Sequence, residues 1–223
     1  MAKNEVKAVI WDMDGIIANT ALYHLKGWQI VFQNRQITYT EEEYRLNTGK
    51  RSDNIVRDIL GEKITEEEIN IITRTKAEAF RKLISQNVET YPGVIKLVTS
   101  LKEYGFKTAI ASSAPMANIE LITKDLKIHD YFDFIISGWD ITRSKPDPEI
   151  FLLAAQNLGA EAKNCIVIED AIVGVAACRR AGMHCIAVTN TNPREDLQGA
   201  DLIIDSLEEI TIDDLNTLLN QHK

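Results

Sequence analysis

Residues 9–20 read Val-Ile-Trp-Asp-Met-Asp-Gly-Ile-Ile-Ala-Asn-Thr. Asp12 and Asp14 stand one residue apart at the end of an apolar run, and burying an unpaired charge costs several kcal/mol. No lysine or arginine lies between Lys7 and Lys26. The chain must therefore bring a partner to these carboxylates from a distant segment, or take up a cation. Whatever the fold, remote parts of the sequence have to converge on the end of this first strand.

Six short apolar runs end abruptly in polar or charged residues: VKAVIWD (6–12), KTAIASS (107–113), DFIIS (133–137), CIVIED (165–170), CIAVT (185–189) and DLIID (201–205). Helical stretches such as VIKLVTSLKEYG, IFLLAAQNLGA and GVAACRRAG lie between many of them, the last two closing in glycine. Continuous apolar strands alternating with helices predict an α/β fold with a parallel sheet covered on both faces. The stretch from residue 19 to residue 90 differs, because it contains no convincing strand. Thr40 with Glu43 and Thr65 with Glu68 form two capping boxes there. After the second, Ile69, Ile72, Phe80, Leu83 and Ile84 keep helical spacing. A helical insert directly after the first strand is the expected organisation.

At 223 residues the chain has room for one domain plus an insert. No apolar run reaches the length of a membrane helix, and the N-terminus lacks the features of a signal peptide. A soluble, cytoplasmic protein is expected, with no membrane and no protein partner. The formal net charge of −8 argues against nucleic acid as a partner. Cys165, Cys178 and Cys185 lack metal-ligand spacing and read as buried, reduced side chains.

Ligands bind open α/β sheets at the carboxyl ends of the strands. The residues ending the runs are Asp12 and Asp14, Ser112 and Ser113, and Glu169 and Asp170, joined by Lys145 in the loop RSKPDPEIF. Each has a plain structural reading: DxDG as a turn, the serines as helix caps, the lysine as a solvated charge, and the acids at a helix N-terminus. Together they supply oxygens for a hard cation, donors for phosphate oxygens and one positive charge, a set suited to phosphoryl transfer.

WDMDG (11–15), IASS (110–113), SKPDPEIF (144–151) and VIEDAIVG (167–174) stand in the order and spacing of four motifs. The whole chain resembles the haloacid dehalogenase superfamily, and within it the subgroup of β-phosphoglucomutase-like enzymes and sugar-phosphate phosphatases. The resemblance implies a Rossmann-like catalytic core over residues 1–18 and 91–223, with a helical cap over residues 19–90. It makes Asp12 the nucleophile that forms an aspartyl-phosphate and Asp14 the general acid and base. Alternation along an extended segment lets both carboxylates face the substrate while Met13 points away. Mg²⁺ would be held by the Asp12 carboxylate, the Asp14 carbonyl and Asp170, with Glu169 in support. Gly15, Ser112, Ser113 and Lys145 would bind the phosphate.

The cap loop reads TGKRSDN (48–54), whereas the subgroup's sugar phosphomutases carry Gly-x-Ser-Arg, whose arginine grips a distal phosphate. Lys50, Arg51 and His24 are the candidate substrate contacts in the cap. The expected activity is a Mg²⁺-dependent phosphatase for a small phosphorylated metabolite, with a β-phosphoglucomutase-type enzyme as the alternative. Asp14 has no use in a dehalogenase, and the phosphonate hydrolases of the superfamily carry alanine at its position. A receiver domain would be shorter and lack the insert. GKRS (49–52) imitates the tail of a P-loop without its leading glycine.

Overall fold

The computed structural model describes residues 5–61, 63–85 and 87–221. All six apolar runs form strands: β1 (Ala8–Trp11), β2 (Lys107–Ala111), β3 (Phe134–Ile136), β4 (Cys165–Glu169), β5 (His184–Val188) and β6 (Leu202–Ile204). They build one parallel sheet in the order β3-β2-β1-β4-β5-β6. The chain leaves β1 for β2 on one side and later returns to β4 on the other. The end of β1 is therefore a topological switch point, where α/β sheets open a crevice.

Alternation along β1 sends Val9 and Trp11 to one face and Ala8 and Ile10 to the other. On the first face they join Ile110, Ile166, Ile168 and Ile186 beneath the helices α5 (Val94–Glu103), α6 (Met116–Asp125) and α9 (Ile212–Leu219). On the second, Ala109, Val167 and Cys185 pack under α7 (Glu149–Leu158) and α8 (Ile172–Ala181). Cys165, Cys178 and Cys185 are buried free thiols.

Between β1 and α5 lie the helices α1 (Ala21–Gln33), α2 (Glu41–Asn47), α3 (Ser52–Leu60) and α4 (Glu66–Ile84). Both expected capping boxes are formed, at the starts of α2 and α4. These helices have a core of their own: Leu25, Trp28, Val31 and Phe32 of α1 meet Ile55, Val56, Ile69 and Ile72. The two connections of this helical insert run side by side. Ala18 and Thr90 pair in an isolated antiparallel bridge, and the Asn19 N–H donates to the Glu89 carbonyl at 2.9 Å. Both connections of the insert thus lie beside the end of β1.

Candidate active site

The Asp12 N–H donates to the Ile168 carbonyl at 3.0 Å, extending the β1–β4 ladder by one residue and fixing the first carboxylate at the strand end. Its partner comes from far along the chain. Lys145, wholly buried in the loop before α7, donates from Nζ to Asp12 Oδ1 at 2.6 Å, to Glu169 Oε1 at 2.7 Å and to the Ala111 carbonyl at 3.3 Å. Burial opposes the charge on Lys145, but Asp12 and Glu169 outweigh it and raise its pKa. The other oxygen of Glu169 accepts from the N–H groups of Asp170 and Ala171 at 2.9 and 2.8 Å. Both Glu169 oxygens are therefore taken, and its part is to hold Lys145 and the Asp170 turn.

Asp170 is different. It is fully buried, and no well-formed hydrogen bond closes on either carboxylate oxygen, although the Thr191 hydroxyl stands near enough to pull its pKa down in part. Ligand oxygens of Asp12, Glu169 and Asp170 lie within 4.8 Å of one another. Three carboxylates against one ammonium leave two negative charges unneutralised in a low dielectric. Burial pushes the Asp170 carboxyl well up, reinforced by Glu169 and Asp12; burial likewise pushes Asp12 to about 7, with Lys145 pulling the other way. An orphaned carboxylate in a doubly negative pocket of oxygens fits a hard divalent cation. Gly15, at φ +85°, lies against this cluster, and a Cβ there would collide with the Asp170 carboxylate. Its N–H is taken by the Ala18 carbonyl at 3.0 Å, so Gly15 shapes the turn rather than offering a free donor.

Asp14 belongs to a second chain of contacts. Its Oδ1 accepts from Thr20 Oγ1 at 2.7 Å and meets His24 Nε2 at 2.9 Å, while His24 Nδ1 lies 2.6 Å from Lys76 Nζ. A lysine only donates, so Nδ1 is the acceptor, and the ring's proton sits on Nε2, aimed at Asp14. Burial and then Lys76 lower the His24 pKa, which keeps the ring neutral. Burial works against the charge on Asp14, but His24, Thr20 and Lys76 outweigh it and lower the pKa. Lys76 is buried, with no ion pair to a carboxylate among the described residues, and burial takes its pKa down to about 8.

Asp12, Asp14, Ser112, Ser113, His24, Lys50, Lys76, Asn47, Ser52 and Asn118 line one cavity of about 60 Å³ between sheet and insert. Ser112 Oγ accepts from the Ala114 N–H at 3.1 Å, and Ser113 Oγ donates to the Gly49 carbonyl at 2.7 Å. Lys50 reaches the cavity but pairs with Asp58 at 2.8 Å. Arg51, expected at the substrate, does not line the cavity, because Asp53 and two core carbonyls already occupy its guanidinium. Sequence reasoning missed Lys76 and Thr20, as well as Asn190 and Asn192, which donate to the carbonyls of Gly15 and Asp170 at 2.7 and 2.9 Å. The signal for Lys76 was a lysine in the apolar stripe of α4, and for the asparagines a polar TNTN directly after β5.

Residues 9–188 match the family described as haloacid dehalogenase-like hydrolase. The chain is 31% identical to a β-phosphoglucomutase of Bacillus subtilis, over 98% of this chain and 97% of that protein. It is 30% identical to the fructose-1-phosphate phosphatase YqaB of Escherichia coli, over 81% of this chain and 95% of that protein. Among solved structures, a β-phosphoglucomutase from Clostridium difficile superposes with a TM-score of 0.87 at 28% identity, covering 96% of this chain and 97% of that one.

Proposed function

This chain is an enzyme of the haloacid dehalogenase-like hydrolase family, and on that premise we propose that it is a Mg²⁺-dependent, cytoplasmic phosphatase acting on a small phosphorylated metabolite, a sugar phosphate by preference. The observation that carries the reading is the buried centre in which Lys145 bridges Asp12 and Glu169 beside the orphaned Asp170. Asp12, the Asp14 carbonyl and Asp170 would hold the ion, which supplies charge neutralisation for phosphate and nucleophile.

The phosphoryl group enters with its oxygens toward the Ser112 hydroxyl, the Ser113 backbone and Lys145. The Asp12 oxygen that Lys145 leaves free attacks phosphorus, and an aspartyl-phosphate forms as the ester bond breaks. Asp14 gives a proton to the leaving oxygen, then takes one from the water that hydrolyses the intermediate. His24 and Thr20 hold Asp14 by one oxygen and leave the other for the proton. Its lowered pKa suits the base step, and the negative charge of an entering phosphate raises its proton affinity for the acid step. Residues 19–90 act as a cap. At about 60 Å³ the cavity is far below the several hundred Å³ of an ordinary ligand pocket, so admitting a sugar phosphate requires the insert to swing on its paired connections.

Relatives of both kinds match this chain to similar degrees, so the cap decides between hydrolysis and transfer. In Gly49-Lys50-Arg51-Ser52 the serine, not an arginine, faces the cavity. No arginine of residues 19–90 lines the cavity, which supports net hydrolysis. The second reading, a phosphomutase, draws on the His24–Lys76 chain behind Asp14 and on the match to the B. subtilis enzyme along nearly its whole length. Incubation with Mg²⁺, β-glucose 1-phosphate and a trace of its 1,6-bisphosphate separates the two. Phosphate release that matches ester consumed, abolished by EDTA, is expected. Rapid glucose 6-phosphate formation with negligible free phosphate would establish the mutase instead.

A further inference from the structure

Arg51 turns away from the cavity although both its neighbours, Lys50 and Ser52, line it. Its guanidinium grips Asp53 with two bonds, Nε to Oδ1 at 2.7 Å and Nη2 to Oδ2 at 2.6 Å. Nη1 then reaches across to the core, donating to the carbonyls of Gly138 at 3.2 Å and Ile141 at 3.1 Å in the loop after β3. The guanidinium carbon lies 5.6 Å from the ring of Trp139 in the same loop. The pair is largely withdrawn from water, with side chains 15% and 13% exposed, so these bonds are weakly screened. Two neighbouring contacts tie the same segment down. Asn54 Nδ2 donates to Ser144 Oγ at 2.5 Å, and Ser113 Oγ to the Gly49 carbonyl at 2.7 Å. Gly49, at φ +82°, sits so close to α8 that a Cβ would come within 2.8 Å of Ala171 and Val173.

We propose that Arg51, oriented by Asp53, is the latch that holds the helical insert shut over the Asp12 centre. It is a positioning residue, not a substrate ligand. The end of the substrate facing α3 then meets the Ser52 hydroxyl and a Lys50 already paired with Asp58, which suits a neutral polyol end better than a second phosphate. The substrate clause rests on the phosphatase reading above; the latch itself does not. A residue that acts on the opening equilibrium changes the apparent affinity of every ligand by the same factor, through the fraction of closed protein. One that touches a ligand's distal group discriminates between ligands.

Two variants and two readouts test this. Arg51→Ala removes the latch, and Arg51→Lys keeps the charge but loses the planar fork that grips both Asp53 oxygens while a third nitrogen reaches the two carbonyls. Spin labels on Glu42→Cys and Lys163→Cys, both exposed positions in a chain whose native thiols are buried, report the spacing of insert and sheet. Both variants should broaden that distance toward longer values. Both should raise KM by one common factor of about tenfold for monophosphates and bisphosphates alike. A KM rise confined to bisphosphates, a full recovery in Arg51→Lys, or an unchanged distance distribution in Arg51→Ala would each overturn the latch. Should no ester be hydrolysed at all, the distance measurement still decides it.

Discussion

Lys76 lies in the buried stripe of α4 with Ile72, Thr73, Ala77 and Phe80, where an ammonium is costly. Contacts over the rings of Trp28, at 4.9 Å, and Phe80, at 5.6 Å, offset part of that cost. What remains is visible in a pKa brought down from 10.5 to about 8. Because the unfolded chain holds this proton more tightly, the penalty of about 3 kcal/mol is complete below pH 8 and fades as pH climbs toward 10.5. Lys76→Met should therefore stabilise the protein by about 1–3 kcal/mol at pH 7, with the gain shrinking at pH 10, while raising KM. Urea unfolding at the two pH values checks this, and a loss of stability at pH 7 would contradict it. The charge was legible in the sequence as a break in an apolar stripe; its target, His24, was not, because nothing local brings residues 24 and 76 together. Arg51 shows the opposite case. Its presence beside the site was legible, but its direction depends on the backbone at the start of α3, where adjacent side chains diverge.

The strands were legible nearly to the residue, since each run is continuous where the sheet is covered on both faces and stops where the ligand-facing loops begin. The capping boxes at Thr40 and Thr65 likewise located α2 and α4. Thr20 was harder to read: it precedes α1 but spends its hydroxyl on Asp14 instead of capping the helix. Ser112 and Ser113, which could have capped the next helix, do not; Pro115 stands at the start of α6. The insert coheres through α1 against α4, with Phe32 fully buried and stacked on Trp28 at a centroid distance of 5.2 Å. Phe32→Ala should cost about 3–5 kcal/mol, as truncation of a buried aromatic ring does. Phe32 does not line the cavity between sheet and insert, so the loss should fall on the insert while the sheet keeps its hydrogen-exchange protection. Equal loss of protection in β1 and β4 would show that insert and core unfold as one unit.

The chain as a whole carries a net charge of −8, yet Lys50 and Lys76 line one small cavity and Lys145 is buried behind it against Asp12. The topology makes this possible. β1 leads straight into the insert, whose paired connections set it beside the switch point, while the loop before α7 delivers Lys145 from the far side of the sequence. The question raised by two carboxylates at the end of a buried strand is answered by convergence: a lysine from 133 positions away, and oxygens disposed for a cation. The proposed chemistry depends on Asp12 as the nucleophile. The direct test is to mix the enzyme with Mg²⁺ and an ester carrying labelled phosphate, quench in acid, and map the label by peptide while following turnover in Asp12→Asn. Acid-stable label is expected on the peptide containing Asp12, with a fall in turnover of at least about 10³-fold in a variant that remains folded. Turnover in Asp12→Asn within tenfold of the parent would contradict it.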